Sequence, residues 1–321
     1  ADDTQIQEQV DLFKREKTAF QARRKLVRML VSAGLPQPDR RDGEIVAAIE
    51  RAGFFRLRGV LVGSLAYQTY AGLLGVQLPE STMQTEDADF AQFHSISVAI
   101  NERTDALAER LKQVDSSFRE VPHHSDPRTF TKLQADDGYQ IEVLTPNYSK
   151  DDYQDNPPQM PALEGMSAQP LRHLDFLIYQ SSSGMLLHKG GVAVNVPQPQ
   201  RYAVHKLLIG PQRGDDVVGR MKADKDLTQA ANLIEAMSLH DRFDLGEAWM
   251  EAWNRGPSWR YKLEVGKARL SFNHRDQLDA AIREACVDYD EAPETYGVNS
   301  PDNPTDDLTK DQNEPSGPGG I

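Results

Sequence analysis

The spacing of apolar and polar positions divides the chain into three stretches. Over residues 5–33 apolar side chains recur at helical spacing, at Val10, Phe13, Phe20, Val27, Leu30 and Val31. Gly34 and Pro36 stop this predicted helix. A shorter helix is predicted over 41–52, ended by Gly53. From Phe54 onward the period shortens. Residues 57–62 form an apolar run before Gly63, as in a buried strand, and residues 65–74 follow as a helix that Gly75 ends. Residues 76–84 contain Pro79 and read as a loop, and the alternation over 85–90 predicts a second strand. A helix over 98–114 comes next. Strands are predicted over 118–121, 130–134 and 139–144, with a turn at Asp136-Asp137-Gly138, and then over 176–179 and 192–196. Gly190-Gly191 is the expected hairpin turn between 185–188 and the last strand. After Pro197 the period lengthens again, with helices over 201–209, 217–237, 245–253 and 276–285. The pattern therefore predicts a mixed α/β (α+β) core between helical segments.

Composition changes this picture at the two ends. The net charge of −13 is unevenly spread. Residues 287–321 carry nine carboxylates against one Lys, among many Pro, Gly, Asn and Ser, and are expected to be a disordered acidic tail. Between Lys14 and Arg58 the balance reverses, with twelve Lys and Arg against five Asp and Glu. The expected units are a basic helical arm (1–53), a catalytic domain (54–197), a helical domain (198–286) and the tail. A single cysteine, Cys286, excludes an internal disulfide framework and a multi-cysteine zinc site, and fits a reducing cytosol. No apolar run is long enough to span a membrane, and the first residues lack the apolar stretch of a secretory signal, so a cytoplasmic protein is expected.

Three features carry candidate chemistry. Gly63-Ser64 stands where a strand meets a helix, and helix N-termini present unpaired N–H groups that favour phosphate. Any strand-to-helix turn also favours these two residues. In TEDADF, Asp87 and Asp89 project from the same strand face, while Ala88 and Phe90 imply a buried opposite face. Paired carboxylates repel one another, and hard divalent cations relieve that repulsion. In GYQIEVL, Glu142 interrupts an apolar strand, either as an exposed residue of a half-buried strand or as a third ligand beside the acidic pair.

Taken together, VLVGSLAYQTYAGLLG, TEDADF and QIEVL resemble the nucleotidyltransferase fold of the DNA polymerase beta superfamily. The stretch is most similar to the minimal and abortive-infection (AbiEii-like) bacterial members. The resemblance runs from Gly59 to Ala236. The long gap between Ser64 and Asp87 departs from the compact members and reads as an insertion over 76–84. What the resemblance implies is a mixed sheet with metal-dependent transfer of NMP from an NTP. Asp87, Asp89 and Glu142 would be the catalytic and metal-binding set, holding Mg²⁺ or Mn²⁺, and Gly63 and Ser64 would meet the phosphates. By the same match, Lys206, Arg213 and Lys225 are candidate nucleotide contacts, with Asp226 orienting a basic neighbour. The implied acceptor is RNA, such as a tRNA end. The alternatives are a protein or small-molecule acceptor, or a non-catalytic partner module in a toxin–antitoxin or defence pair.

Other candidates weigh less. His123-His124 lies in a proline-bracketed loop with no Cys near, which is poor geometry for zinc. His188 and His205 are isolated, and Trp249, Trp253 and Trp259 read as helix packing with base stacking as the alternative. LVGSLA lacks the spacing of a serine-hydrolase nucleophile elbow. The run KREKTAFQARRKLVR places seven cations and one Glu on about four turns of helix, either as a solvated face or as a contact for a phosphate backbone.

Overall fold

The computed structural model describes residues 3–79, 83, 85, 87–149 and 152–298. The chain begins with α1 (Asp3–Ser32), a 30-residue helix whose one buried side chain among those described is Val27. α2 (Arg40–Arg51) starts where the Asp39 carboxylate accepts from the Arg41 N–H, and it buries Ile45, Val46 and Ile49. These three belong to one continuous core that runs through the sheet to the last helices.

A six-stranded mixed sheet follows, built from β1 (Val60–Leu61), β2 (Asp87–Ala91), β3 (Arg119–Pro122), β4 (Phe130–Gln134), β5 (Gln140–Asn147) and β6 (Gln169–Arg172). The order is β1-β2-β5-β4-β3, with β6 beside the later part of β5. β2 and β6 run parallel to β5, and the other pairs are antiparallel. The parallel pairing brings two acidic strands side by side, although β3 and β4 lie between them in the chain. α3 (Gly63–Leu74) joins β1 to the segment before β2 and ends on Gly75 in the left-handed region. β7 (Ser182–Leu186) and β8 (Val192–Val196) form the expected hairpin, Leu186 facing Val192 across the Gly190-Gly191 turn.

The strand predicted over 57–62 is only the two residues of β1, and two other predicted elements take a different form. The helix predicted over 98–114 is two short helices, α4 (His94–Ala99) and α5 (Leu107–Val114). Between them the backbone bonds outward: the Thr104 N–H donates to the Ala162 carbonyl and the Asp105 N–H to that of Ala52, so tertiary partners replace helical ones. The strand predicted over 176–179 is helical, α6 (Leu174–Ile178). Its Leu174, Phe176, Leu177 and Ile178 are all buried, and a short run buried all round has no period to distinguish helix from strand.

The C-terminal helices are α7 (Pro199–Ile209), α8 (Val217–Met237), α9 (Arg242–Asn254), α10 (Pro257–Ala268) and α11 (Phe272–Tyr289). α10 was not foreseen, because Gly256-Pro257 reads as a break, yet Pro in the first helical turn gives up only a surplus N–H. α9 packs so closely on α11 that a Cβ on Gly246 would lie 2.1 Å from the Ala281 carbonyl oxygen. The acidic tail does not begin at Val287. α11 continues to Tyr289, Tyr296 and Val298 are buried, and the Trp249 indole donates to the Tyr296 carbonyl at 3.0 Å. The rest of that tail, 299–321, lies outside the described residues. Among the described residues no helix is long and apolar enough to cross a membrane.

Candidate active site

β2 and β5 place the acidic residues by register. Asp87 faces Gln140 and Asp89 faces Glu142 across the parallel pair, and Lys132 faces Glu142 from β4. Asp89, Glu142 and Lys132 therefore line up on one face of three adjacent strands, as alternation requires. On the other face Ala88 and Phe90 are each 1% exposed and lie in the core, which fixes the register against slipping. Lys132 Nζ stands 3.6 Å from the Glu142 carboxylate and donates to the Gln140 side-chain oxygen at 3.2 Å. The Thr85 hydroxyl donates to Asp87 Oδ1 at 2.5 Å.

The start of α3 is held against this row. Gly63 has φ of +67°, and a Cβ there would lie 3.0 Å from Asp89 Oδ2, so glycine is needed both for the backbone and for the close approach. The Val62 N–H donates to the Asp89 carbonyl at 3.0 Å, and the Tyr202 hydroxyl on α7 lies 3.0 Å from the Gly63 carbonyl. The N-cap is Val62, which has no side chain to satisfy the first N–H groups. Ser64 is the second residue of the helix.

α7 and α8 supply the opposing wall. Lys206 on α7 donates to Asp226 on α8, and Arg213 Nε donates to the other oxygen of the same carboxylate at 2.8 Å. Lys206 and Asp226 are 9% and 3% exposed. Asp226 thus bonds two basic neighbours, where the resemblance implied one.

A cleft of about 420 Å³ opens between the walls, and Gly63, Asp87, Asp89, Glu142, Lys206 and Arg213 all line it. Ser64 and Lys225 do not. Lys225 sits beside it, within electrostatic reach of Asp87 and Lys206. Sequence reasoning missed Lys222, which lines the cleft and acts electrostatically on Asp89 and Glu142. Its spacing of four from Asp226 on one helix face was the available signal. Arg172 and His173 were also missed, since neither β6 nor the turn after it had been foreseen.

The electrostatics follow from crowding. Burial, then Asp87 and Glu142, push the Asp89 carboxyl up to about 7. Burial also raises Glu142, which Lys132 partly offsets. Burial alone would raise Asp226, but Lys206 and Arg213 outweigh it and hold the carboxyl below its ordinary value. Lys225 is lowered by burial and then by Lys206. Burial, then neighbouring cations, takes His173 to about 4 and His205 to about 3, so both imidazoles are neutral near pH 7.

Among the described residues no three Asp, Glu, His or Cys side chains are drawn together as a ready metal cage. The donor chemistry nevertheless fits a hard divalent cation, which takes carboxylate oxygens and would relieve the repulsion that raises Asp89. Elsewhere, the His123 ring nitrogens meet Ser125 Oγ at 2.8 Å and Gln169 Oε1 at 3.2 Å. Trp249 and Trp253 are core residues, and Trp259 packs on the core's edge.

Among curated proteins, none matches this chain. A crystal structure of an antigenic nucleotidyltransferase-like protein from Paracoccidioides brasiliensis is similar over 70% of this chain and 93% of its own, at 17% identity and a TM-score of 0.33. A family model described as nucleotidyltransferase matches residues 40–254, a span that holds every residue of the cleft. The chain belongs to the nucleotidyltransferase family and is a transferase.

Proposed function

We propose that the cleft binds an NTP and that the protein transfers its NMP to an acceptor, releasing pyrophosphate. The observation that carries this is the Asp89–Glu142 register with Gly63 pressed against Asp89, which sets a helix N-terminus beside a row of carboxylates. Asp87 and Asp89, joined by Glu142, are the residues that would hold Mg²⁺ or Mn²⁺. Such an ion supplies charge neutralisation at the α-phosphate and on the departing pyrophosphate. The free N–H groups at the start of α3 donate to the β- and γ-phosphate oxygens. Lys206 and Arg213, already fixed by Asp226, and Lys222 supply positive charge at little reorganisation cost. Lys225 supports them from outside the cleft, and Ser64 lies in the first turn of the same helix. An acceptor hydroxyl forms its bond to the α-phosphorus as the bond to the β-phosphate oxygen breaks. The proton of that hydroxyl, made more acidic by Glu142 and the ion it would help to hold, passes to solvent.

RNA, such as a tRNA end, is the acceptor we favour, because the chain is basic over its first sixty residues despite its acidic total. The same reading puts the protein in the cytoplasm, beside the minimal and AbiEii-like bacterial members that its motifs resemble. Incubation with α-labelled NTPs, Mg²⁺ and a cell extract tests the proposal by where label lands. Label in RNA supports it. Label in protein or a small molecule instead selects the alternative acceptors. No label in any fraction leaves the non-catalytic partner module and overturns the proposal.

A further inference from the structure

Away from the cleft, α2 lies on the floor of three adjoining depressions. One lies between α2 and α5 and has a volume of about 880 Å³. It shares Arg40 and Glu44 with a second, between α1 and the β7–β8 turn, and Arg51 with a third, beside the strands of that hairpin. Together they are lined by nine Arg and Lys and four Asp and Glu. That is an excess of five positive charges on a protein whose total is −13.

Pairing does not account for all of them. Arg41 is held by Asp115 and Asp137, Arg56 by Glu102, Arg110 by Asp105, and Lys189 by Glu44. Arg24, Arg28, Arg40, Arg51 and Arg103 are exposed and make no ion pair among the described residues. A row of exposed guanidinium groups separated by fixed pairs suits a ligand with regularly repeated negative charge. The middle of the trench, at Arg41, backs onto the start of β5. Arg41 lies over the Tyr139 ring at 4.5 Å, and the Tyr139 hydroxyl donates to Asp42 at 2.5 Å. Both Asp42 and Tyr139 are within electrostatic reach of Asp87.

We infer that this arginine-lined trench across α1, α2 and α5 binds the phosphodiester backbone of a single-stranded RNA. The inference rests on the reading that the acceptor is RNA, but it can be measured apart from the reaction. The probe is a fluorescently labelled single-stranded RNA of about twenty nucleotides, long enough to span the trench, with NTP and divalent ions omitted. Anisotropy is recorded with the full chain between 50 and 200 mM salt. The comparison is a variant with Arg24→Gln, Arg28→Gln, Arg40→Gln and Arg51→Gln, its fold checked by circular dichroism. If each arginine neutralises one phosphate, the slope of log K against log salt becomes shallower by about 3 in the variant. Over that fourfold change in salt, the unaltered chain then loses about fiftyfold more affinity than the variant. Absence of RNA binding at 50 mM salt, or an unaltered slope in the quadruple variant, overturns the inference. So does equally tight binding of a polyglutamate peptide of the same charge, which assigns the trench to an acidic protein. A chain that labels RNA but keeps its slope in the variant refutes the trench and leaves the reaction standing.

Discussion

Replacing Asp226 by Asn keeps the side-chain volume and removes the charge that holds Lys206 and Arg213. The consequence can be worked from burial. Arg213 has a side chain 36% exposed and can turn toward water, whereas Lys206, at 10%, cannot. The cost therefore falls on one stranded ammonium group. Removing one partner of a buried pair typically costs about 3–5 kcal/mol, and the freedom of Arg213 favours the lower end, about 3 kcal/mol. For a protein of this size that is a fall of about 5 °C in melting temperature. Lys206→Met combined with Asp226→Asn removes both charges, so the double variant should recover to within about 1 kcal/mol of the unaltered protein. The sign of the pH dependence is also fixed. Asp226 is held below its ordinary value of 3.8, so its contribution is complete above about pH 4 and is lost as pH falls through the lowered value. Thermal and urea unfolding of the four proteins at pH 7.5 test this. A single variant within about 1 kcal/mol of the parent, or a double variant no better than the sum of the singles, refutes the reasoning.

Other expectations follow from the same geometry. Asp89→Asn should stabilise the protein in the absence of divalent ions, because it removes a carboxyl raised to about 7 by burial and by Asp87 and Glu142. The parent's stability is complete below about pH 4 and falls as pH rises through 7, so the variant's advantage should grow over that window to about 2–4 kcal/mol and shrink on adding Mg²⁺. Thermal melts from pH 4.5 to 8 measure this, and a gap that does not widen with pH contradicts it. Gly63→Ala forces a non-glycine residue to φ of +67° with its Cβ 3.0 Å from Asp89 Oδ2. A loss of about 1–3 kcal/mol in stability, together with weaker NTP binding by calorimetry, is expected. Gly246→Ala puts a methyl group 2.1 Å from the Ala281 carbonyl, where only backbone could yield. It should lower the urea midpoint strongly and leave NTP affinity of the folded fraction unchanged.

Much of the acidic half of the site was legible because strands report their own faces. Asp87 and Asp89 two apart, with Ala88 between them, required one polar and one buried face, and the register gives that arrangement. Glu142 stood out as a charge in an apolar run. Which strand it would lie beside was not legible, since pairing is a property of the whole sheet. The basic wall was half visible. Lys206 and Arg213 were found by likeness, but Lys222 was passed over because a Lys on a long polar helix resembles any solvated charge. The segment 174–178 and the helix after Gly256 escaped for a different reason. Short elements buried on every side, or begun by Pro, carry no periodic signal that separates helix from strand or turn. The burial of Tyr296 and Val298 was hidden by the acidic residues around them, because composition averages over the two side chains that anchor the segment.

The account stands on Asp89 acting together with a divalent ion on a bound NTP. The most direct measurement is pyrophosphate release in parallel with retention of α-label on the acceptor, for the unaltered protein and for Asp87→Asn and Asp89→Asn. Each is assayed with Mg²⁺ and with chelator. Loss of several kcal/mol of charge stabilisation corresponds to a fall in rate of at least about a hundredfold for each variant, with chelator reducing the unaltered protein to the same level. Transfer that persists at the parental rate in Asp89→Asn, or that ignores the chelator, would contradict the site as assigned.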